Sequence, residues 1–375
     1  MIPMDAIRPG SVLSTRALNR ALLARQLLLR RSPLTPLQAL EHLVGLQAQA
    51  PNPPYLGLWS RLERFRFDDL AEAVVERRAV RLTLMRGTVH LVSARDALAL
   101  RPVVQQALVR QVDTAFARKV AGVDRAELIA EGRELLNGEP VVFSELGRLL
   151  QRRWPQHAAS ALANVLRAEV PLVHVPPRGV WGRGGRTTHT TVESWLGRPV
   201  DARPDPESML RRYLAAFGPA TVADLRTWSG VPGWGPVVER LRPELVGYRD
   251  PQGRELLDLP GAPLPDPETP APVRLTAEFD NLTLSHADRS RVICEDHRKR
   301  QQTRNGIVPG ALLVDGFVAG QWRLDTARRA ATVTIDPYTG LSSADRSAAG
   351  AEAARLLAAV APEGVAHEVR INSAE

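Results

Sequence analysis

The sequence predicts an α+β chain in which three helical groups, each closed by a pair of short strands, precede a strand-rich C-terminal portion. Two observations carry this. The apolar period switches from helical to alternating three times over residues 1–260, and beyond a proline-rich acidic stretch at 261–272 the alternation dominates.

In the first group, Ser14–Arg30 is amphipathic, with Leu18, Ala21, Leu22, Leu28 and Leu29 apolar. Thr35-Pro36-Leu37-Gln38 is a helix start: Thr35 caps, Pro36 suits the first position and Gln38 completes a capping box. Tyr55–Phe65 and Asp68–Arg78 read as further helices. Val80–Met85 and Thr88–Val92 then read as two strands joined at Arg86-Gly87. Helices followed by a hairpin is the order of a winged helix.

The second group has helices at Arg95–Phe116, Arg125–Leu136, Ser144–Leu150 and Ala159–Glu169, the last in the place of a recognition helix. Leu172–Val175 and Val180-Trp181 read as a short wing running into Gly182–Arg186. The third group has helices at Met209–Phe217, Thr221–Trp228 and Gly235–Leu241, then strands Leu245–Tyr248 and Glu255–Asp258 around Asp250-Pro251-Gln252-Gly253. In the C-terminal portion Val273–Phe279, Ala311–Phe317, Val318–Leu324 and Ala330–Ile335 alternate, Asp315-Gly316 is a hairpin turn and Leu341–Val360 a closing helix. The expected organisation is three tandem winged-helix units, at 1–93, 94–200 and 201–260, followed by a β-barrel-like domain at 261–375.

With 375 residues and 44% apolar content, the chain has material for two or three cores. The formal charge is +8 and the cations are nearly all arginine, Lys119 and Lys299 being the only lysines. Such a balance suits a polyanionic partner and bidentate phosphate contacts. A GC-rich genome would produce the same arginine excess. The single cysteine, Cys294, excludes an intrachain disulfide and fits a reducing, cytoplasmic compartment. The opening Met-Ile-Pro-Met-Asp leads into no apolar run, and no stretch would span a bilayer, so no membrane association is expected.

Walker, dinucleotide and serine-nucleophile signatures are missing, and the eight histidines and one cysteine lack metal-ligand spacing. No metal and no cofactor are expected. Three segments stand out instead. Leu46-Gln47-Ala48-Gln49-Ala50 sets two glutamines one residue apart just beyond a capped helix, where an extended backbone aims both amides one way. Two solvated glutamines at a helix end would look the same. Arg86-Gly87-Thr88-Val89-His90-Leu91 places Thr88 and His90 on one strand face, and a hydrogen-bonded structural histidine fits there equally. Phe279–Arg291, with Asp280, Arg289 and Arg291, leads into Asp296–Arg304, with Arg298, Lys299 and Arg300. Arginines among hydroxyls and amides suit a phosphate backbone, and a charged solvent loop would too.

These segments, together with Asp315-Gly316 through Gly320-Gln321-Trp322-Arg323, resemble the tandem winged-helix DNA glycosylases of the AlkZ/YcaQ type over nearly the whole chain. The resemblance implies catalysis by a Gln–apolar–Gln/acid signature, which falls on Gln47, Ala48 and Gln49. The YcaQ branch has Asp at the second position, so Gln49 places the chain nearer the AlkZ branch. Arg86, Thr88, His90, Asp280, Arg289, Arg291, Arg298, Lys299, Arg300 and Arg323 are then expected to bind DNA or support the site. The implied partner is double-stranded DNA carrying N7-alkylated guanine or interstrand crosslinks, met by a monomer in the cytoplasm at the nucleoid. Members of that branch are associated with self-resistance in producers of alkylating antibiotics such as azinomycin. The alternative is a non-catalytic winged-helix transcription regulator, since fold does not fix function.

Overall fold

Ser14 starts the first helix, Thr15–Arg25, by accepting a hydrogen bond from the Ala17 N–H. The capping box of Thr35 and Gln38 forms and opens the helix Pro36–His42. That helix ends in two left-handed residues, Val44 (φ 55°) and Gly45 (φ 86°). A side chain at Gly45 would meet Val92 Cγ1 at 2.5 Å, so only glycine lets the chain pass this close to the neighbouring strand. The computed structural model describes residues 9–301, 306–327, 330–361 and 364–374. The opening Met1–Asp5, and Gln302, Thr303 and Arg304 of the arginine-rich stretch, lie outside the described residues.

Past Gly45 the chain enters a six-stranded sheet. Its strands are β1 (Leu46–Gln47), β2 (Ala79–Thr83), β3 (Val89–Ser93), β4 (Val141–Val142), β5 (Leu172–His174) and β6 (Thr188–Thr191), in spatial order β1-β3-β2-β5-β6-β4. Every pairing is antiparallel. The strands of the first two helical groups therefore share one sheet. The second hairpin differs from expectation: β5 returns through Thr188–Thr191, not through Val180-Trp181. Three β-branched threonines favour that strand. Trp181 instead packs on Phe67, with ring centroids 4.4 Å apart.

The long helix Ala94–Phe116 and the helices Arg125–Leu135, Phe143–Arg153 and Ala159–Glu169 follow in the expected order. So do Pro206–Phe217, Val222–Ser229 and Gly235–Leu241, closed by the hairpin β7 (Val246–Arg249) and β8 (Glu255–Asp258). Asp250 sets that turn by accepting from the N–H groups of Gln252 and Arg254.

The C-terminal part is an open sheet and not a barrel. Strands β9 (Arg274–Thr276), β10 (Gly310–Val314), β11 (Phe317–Thr326), β12 (Ala330–Pro337) and β13 (Ala366–Ile371) lie in order β13-β12-β11-β10-β9, so β9 and β13 remain edges. Five strands are few for closure. The last strand also arrives by a crossover through the helix Ser343–Val360 and pairs parallel to β12. The strand expected over Val273–Phe279 is shortened, because Phe279 turns left-handed (φ 55°) and Asp280 caps a short helix, Asn281–Leu284.

The sheet is tied to the N-terminus. Asn19 Nδ2 donates to the carbonyls of Arg291 and Gly316, both at 2.8 Å, seating the first helix on the Asp315-Gly316 turn. Two fully buried ion pairs, Arg25–Asp258 and Arg61–Asp280, lock distant segments together. Among the described residues, no helix is long and apolar enough to cross a membrane.

Candidate active site

The two glutamines stand at the free edge of the six-stranded sheet. Gln47 pairs in register with His90, and the Ala48 N–H donates to the Val89 carbonyl at 2.7 Å, continuing the ladder beyond β1. Side chains two apart share a face, so Gln47 and Gln49 lie on the same side as their cross-strand neighbours His90 and Thr88. Gln47 is buried and Gln49 exposed.

Both amides are oriented. Gln47 Oε1 accepts from Arg86 Nη2 at 2.9 Å, and Gln49 Oε1 accepts from the Val89 N–H at 3.3 Å. Because each partner is a donor, the oxygen and not the nitrogen must face it. Each oxygen keeps a second lone pair.

Arg86 reaches Gln47 from the left-handed turn between β2 and β3 (φ 57°), and its Nη1 donates to the Trp228 carbonyl at 2.6 Å. Burial and the neighbouring Arg289 bring its pKa down to about 10, so it remains a cation at neutral pH. His90 is driven the other way. Burial, then the Arg86 charge, lowers it to about 3 and keeps the ring neutral. Its Nδ1 faces the Thr88 carbonyl at 3.1 Å, which requires a proton on Nδ1 and leaves Nε2 as a buried acceptor without a partner among the described residues. The Thr88 hydroxyl is engaged with the Met85 carbonyl.

The other expected residues divide. Arg289 is half-buried, forms no ion pair among the described residues, and sits close enough to press on Arg86 while itself feeling Arg298. A run of positive charge thus leads away from the glutamines. Lys299, next to Arg298 in the chain, is exposed. Arg298 forks onto Glu295 with two bonds of 2.7 Å, and Arg300 donates to the Tyr338 carbonyl, so both are held by the protein itself. Arg291 is a correction: it is buried and donates to the Pro219 carbonyl at 2.8 Å, where no phosphate can reach it. Asp280 is buried against Arg61 and touches no solvent groove; it acts beneath the site, since the adjoining Asn281 Nδ2 donates to the Gly45 carbonyl at 2.8 Å. Arg323 lies on the C-terminal sheet, paired with Asp336 at 2.8 Å.

Sequence reasoning missed Arg81, which is buried on β2 and donates to the carbonyl of Ala48, the residue between the glutamines, at 2.7 Å. An arginine inside an otherwise buried strand was the available signal. It also missed a cleft of about 490 Å³ beside Arg86 and Gly87, walled by Gln111, Thr114 and Gly230 and flanked by the exposed Arg110 and Arg226. Among the described residues no group of three or more His, Cys, Asp or Glu side chains gathers to hold a metal.

The chain matches the family model described as DNA glycosylase AlkZ-like over residues 40–359. Among solved structures it is similar to Streptomyces sahachiroi DNA glycosylase AlkZ, with a TM-score of 0.74 at 23% identity, covering 96% of this chain and 100% of that one. Likeness at that identity establishes a shared mixed α+β fold. No curated protein matches the sequence.

Proposed function

The chain belongs to the AlkZ-like DNA glycosylase family, and from that premise we propose that it is a monofunctional enzyme excising N7-alkylated guanine and unhooking N7-linked interstrand crosslinks. The observation that carries this reading is the pair of amides, Gln47 and Gln49, held on one strand face by Arg86 and the Val89 N–H.

Glycoside hydrolysis ordinarily calls for two carboxylates. Guanine alkylated at N7 removes the need for the acid. It carries a formal positive charge, so the C1′–N9 bond breaks with its electron pair moving to the base, which leaves neutral. The sugar becomes oxocarbenium-like, a water oxygen bonds to C1′, and the water proton passes to solvent. The second lone pair of each glutamine oxygen accepts from that water and aims it, so positioning is the main catalytic contribution. Local polar stabilisation of the cationic sugar adds to it. Lys119 and Lys299 both lie off the glutamine strand, which favours hydrolysis to an abasic site over an amine-linked intermediate.

In this reading the substrate is lesion-bearing double-stranded DNA, bound by a monomer at the nucleoid. The three groups of helices closed by strands act as winged-helix units, Arg289 and Lys299 follow the phosphates, and Arg86 supports Gln47. The physiological duty is self-resistance to an alkylating antibiotic of the azinomycin kind. The test is incubation with duplex bearing one N7-methylguanine or one N7-linked crosslink, then an abasic-site endonuclease at neutral pH and a denaturing gel, with the enzyme-free duplex run alongside. Cleavage at the lesion is expected; intact strands would contradict the reading.

A further inference from the structure

The cleft of about 490 Å³ beside Arg86 is walled by two helices from different groups, Ala94–Phe116 and Val222–Ser229. Leu84, Val104 and Leu108, all buried, give it an apolar base. Its charged lining has one sign: Arg86, Arg110 and Arg226 contribute to it, and no Asp or Glu does. Arg110 and Arg226 are exposed, and among the described residues neither side chain has a hydrogen-bond or ion-pair partner. Other arginines of the third group are paired: Arg211 with Glu244, Arg240 with Glu207 and Arg242 with Glu255. A cleft lined by one sign of charge over apolar walls focuses field and draws the opposite charge. The cleft is also fixed relative to the glutamines. Arg86 lines it, holds Gln47 Oε1 through Nη2, and is held through Nη1 by the Trp228 carbonyl, on the helix that carries Arg226. Gly230 (φ 72°) ends that helix against Arg86, where a β-carbon would come within 2.9 Å of the Arg86 Cα.

We propose that this cleft seats a backbone phosphate of the bound duplex, clasped between Arg110 and Arg226, so that Gln47 is set in register with the lesion. The inference rests on the glycosylase reading and deepens it by naming a substrate contact. Phosphate contacts carry no sequence information but fix register and orientation on the duplex. Guanidinium forks match the two non-bridging oxygens of a phosphodiester. The apolar base of the cleft accepts the carbons of the flanking deoxyribose. The seat needs no extrusion of the base, so a guanine tethered to both strands is held in the same register as a monoadduct.

The test is a methylphosphonate scan with the whole protein. Each duplex carries one 7-methylguanine on a 2′-fluorinated sugar, which keeps the glycosidic bond intact during binding, and one neutral methylphosphonate at a chosen position around the lesion on either strand. At one such position the unmodified protein should lose about tenfold in affinity, as loss of a charge-assisted contact implies. The Arg110→Ala/Arg226→Ala double variant should bind the fully charged duplex about tenfold more weakly, again as loss of that contact implies. Its salt slope should be lower by about one, and it should be indifferent to the methylphosphonate at that position alone. Neither side chain has a partner to lose, so the urea midpoint of the double variant should match that of the unmodified protein, which shows that it is folded. A double variant that binds like the unmodified protein, or that keeps its sensitivity at every position, overturns the seat; the glycosylase reading survives that result if the unmodified protein still releases N7-methylguanine from an ordinary duplex. If the unmodified protein releases none, the glycosylase reading falls and the seat falls with it.

Discussion

Arg86 ties Gln47 to the helix Val222–Ser229, donating from Nη2 to Gln47 Oε1 at 2.9 Å and from Nη1 to the Trp228 carbonyl at 2.6 Å. One planar guanidinium spans both acceptors; a lysine ammonium is a point charge and cannot reproduce the fork. Arg86→Lys should therefore slow single-turnover excision by at least about tenfold, or about 1.4 kcal/mol of transition-state stabilisation. The loss should fall on kcat more than on duplex affinity, because the charge is kept. An Arg86→Lys enzyme with normal kcat would remove Arg86 from the positioning of Gln47.

Arg289 and Arg291 are two residues apart and have opposite surroundings. Arg289 faces Arg86 and Arg298 without an ion pair among the described residues, whereas Arg291 is buried on the Pro219 carbonyl. Arg289→Ala should weaken binding to every duplex by a similar factor and lower the salt slope by about one counterion. Arg291→Ala should leave the slope alone and lower stability. Affinity measured across a salt series separates them, and an unchanged slope in Arg289→Ala would take this residue off the DNA path.

Asp280 accepts both Arg61 donors, at 2.8 and 2.7 Å, with both side chains buried. Removing one partner leaves an uncompensated buried charge, which typically costs about 3–5 kcal/mol. Asp280→Ala should show that loss in urea unfolding, and should also loosen the bond from Asn281 to the Gly45 carbonyl beneath the glutamine strand. A midpoint like that of the unmodified protein would contradict the structural role.

Histidine burial sets an acid limit. Burial lowers His90 and His189 to about 3 and holds His174 well below its ordinary value. Below about pH 6.5 the unfolded chain takes up protons that the folded chain refuses, so stability falls as pH drops from there toward about 3. Each such group contributes a slope of about 1.4 kcal/mol per pH unit inside that window. The denaturant midpoint should decline steadily below pH 6.5, and His189→Phe, beside Phe143 and His174, should make the decline shallower. Identical pH profiles for the two proteins would show that His189 is not buried neutral.

The glutamine pair was legible because alternation alone puts residues 47 and 49 on one face, and the first two helices of residues 206–241 because Gly218 and Thr221 mark an end and a start. The return strand Thr188–Thr191 was not, since a run of threonine and histidine has no apolar alternation. Strand β13 hid for a related reason: its side chains are mostly exposed at a sheet edge. The buried arginines were the largest omission. Arg61 and Asp280 are 219 residues apart, and Arg25 and Asp258 are 233 apart, so nothing local in the sequence marks either arginine as a core residue. Arg291 looked like a phosphate ligand for the same reason.

The central claim is that Gln47 and Gln49 position the attacking water, and single-turnover release of N7-methylguanine from duplex DNA by Gln47→Ala and Gln49→Ala tests it most directly. Each variant should excise at least about tenfold more slowly, with duplex affinity essentially unchanged when measured in the same buffer. Excision at the unmodified rate by both variants would contradict the account.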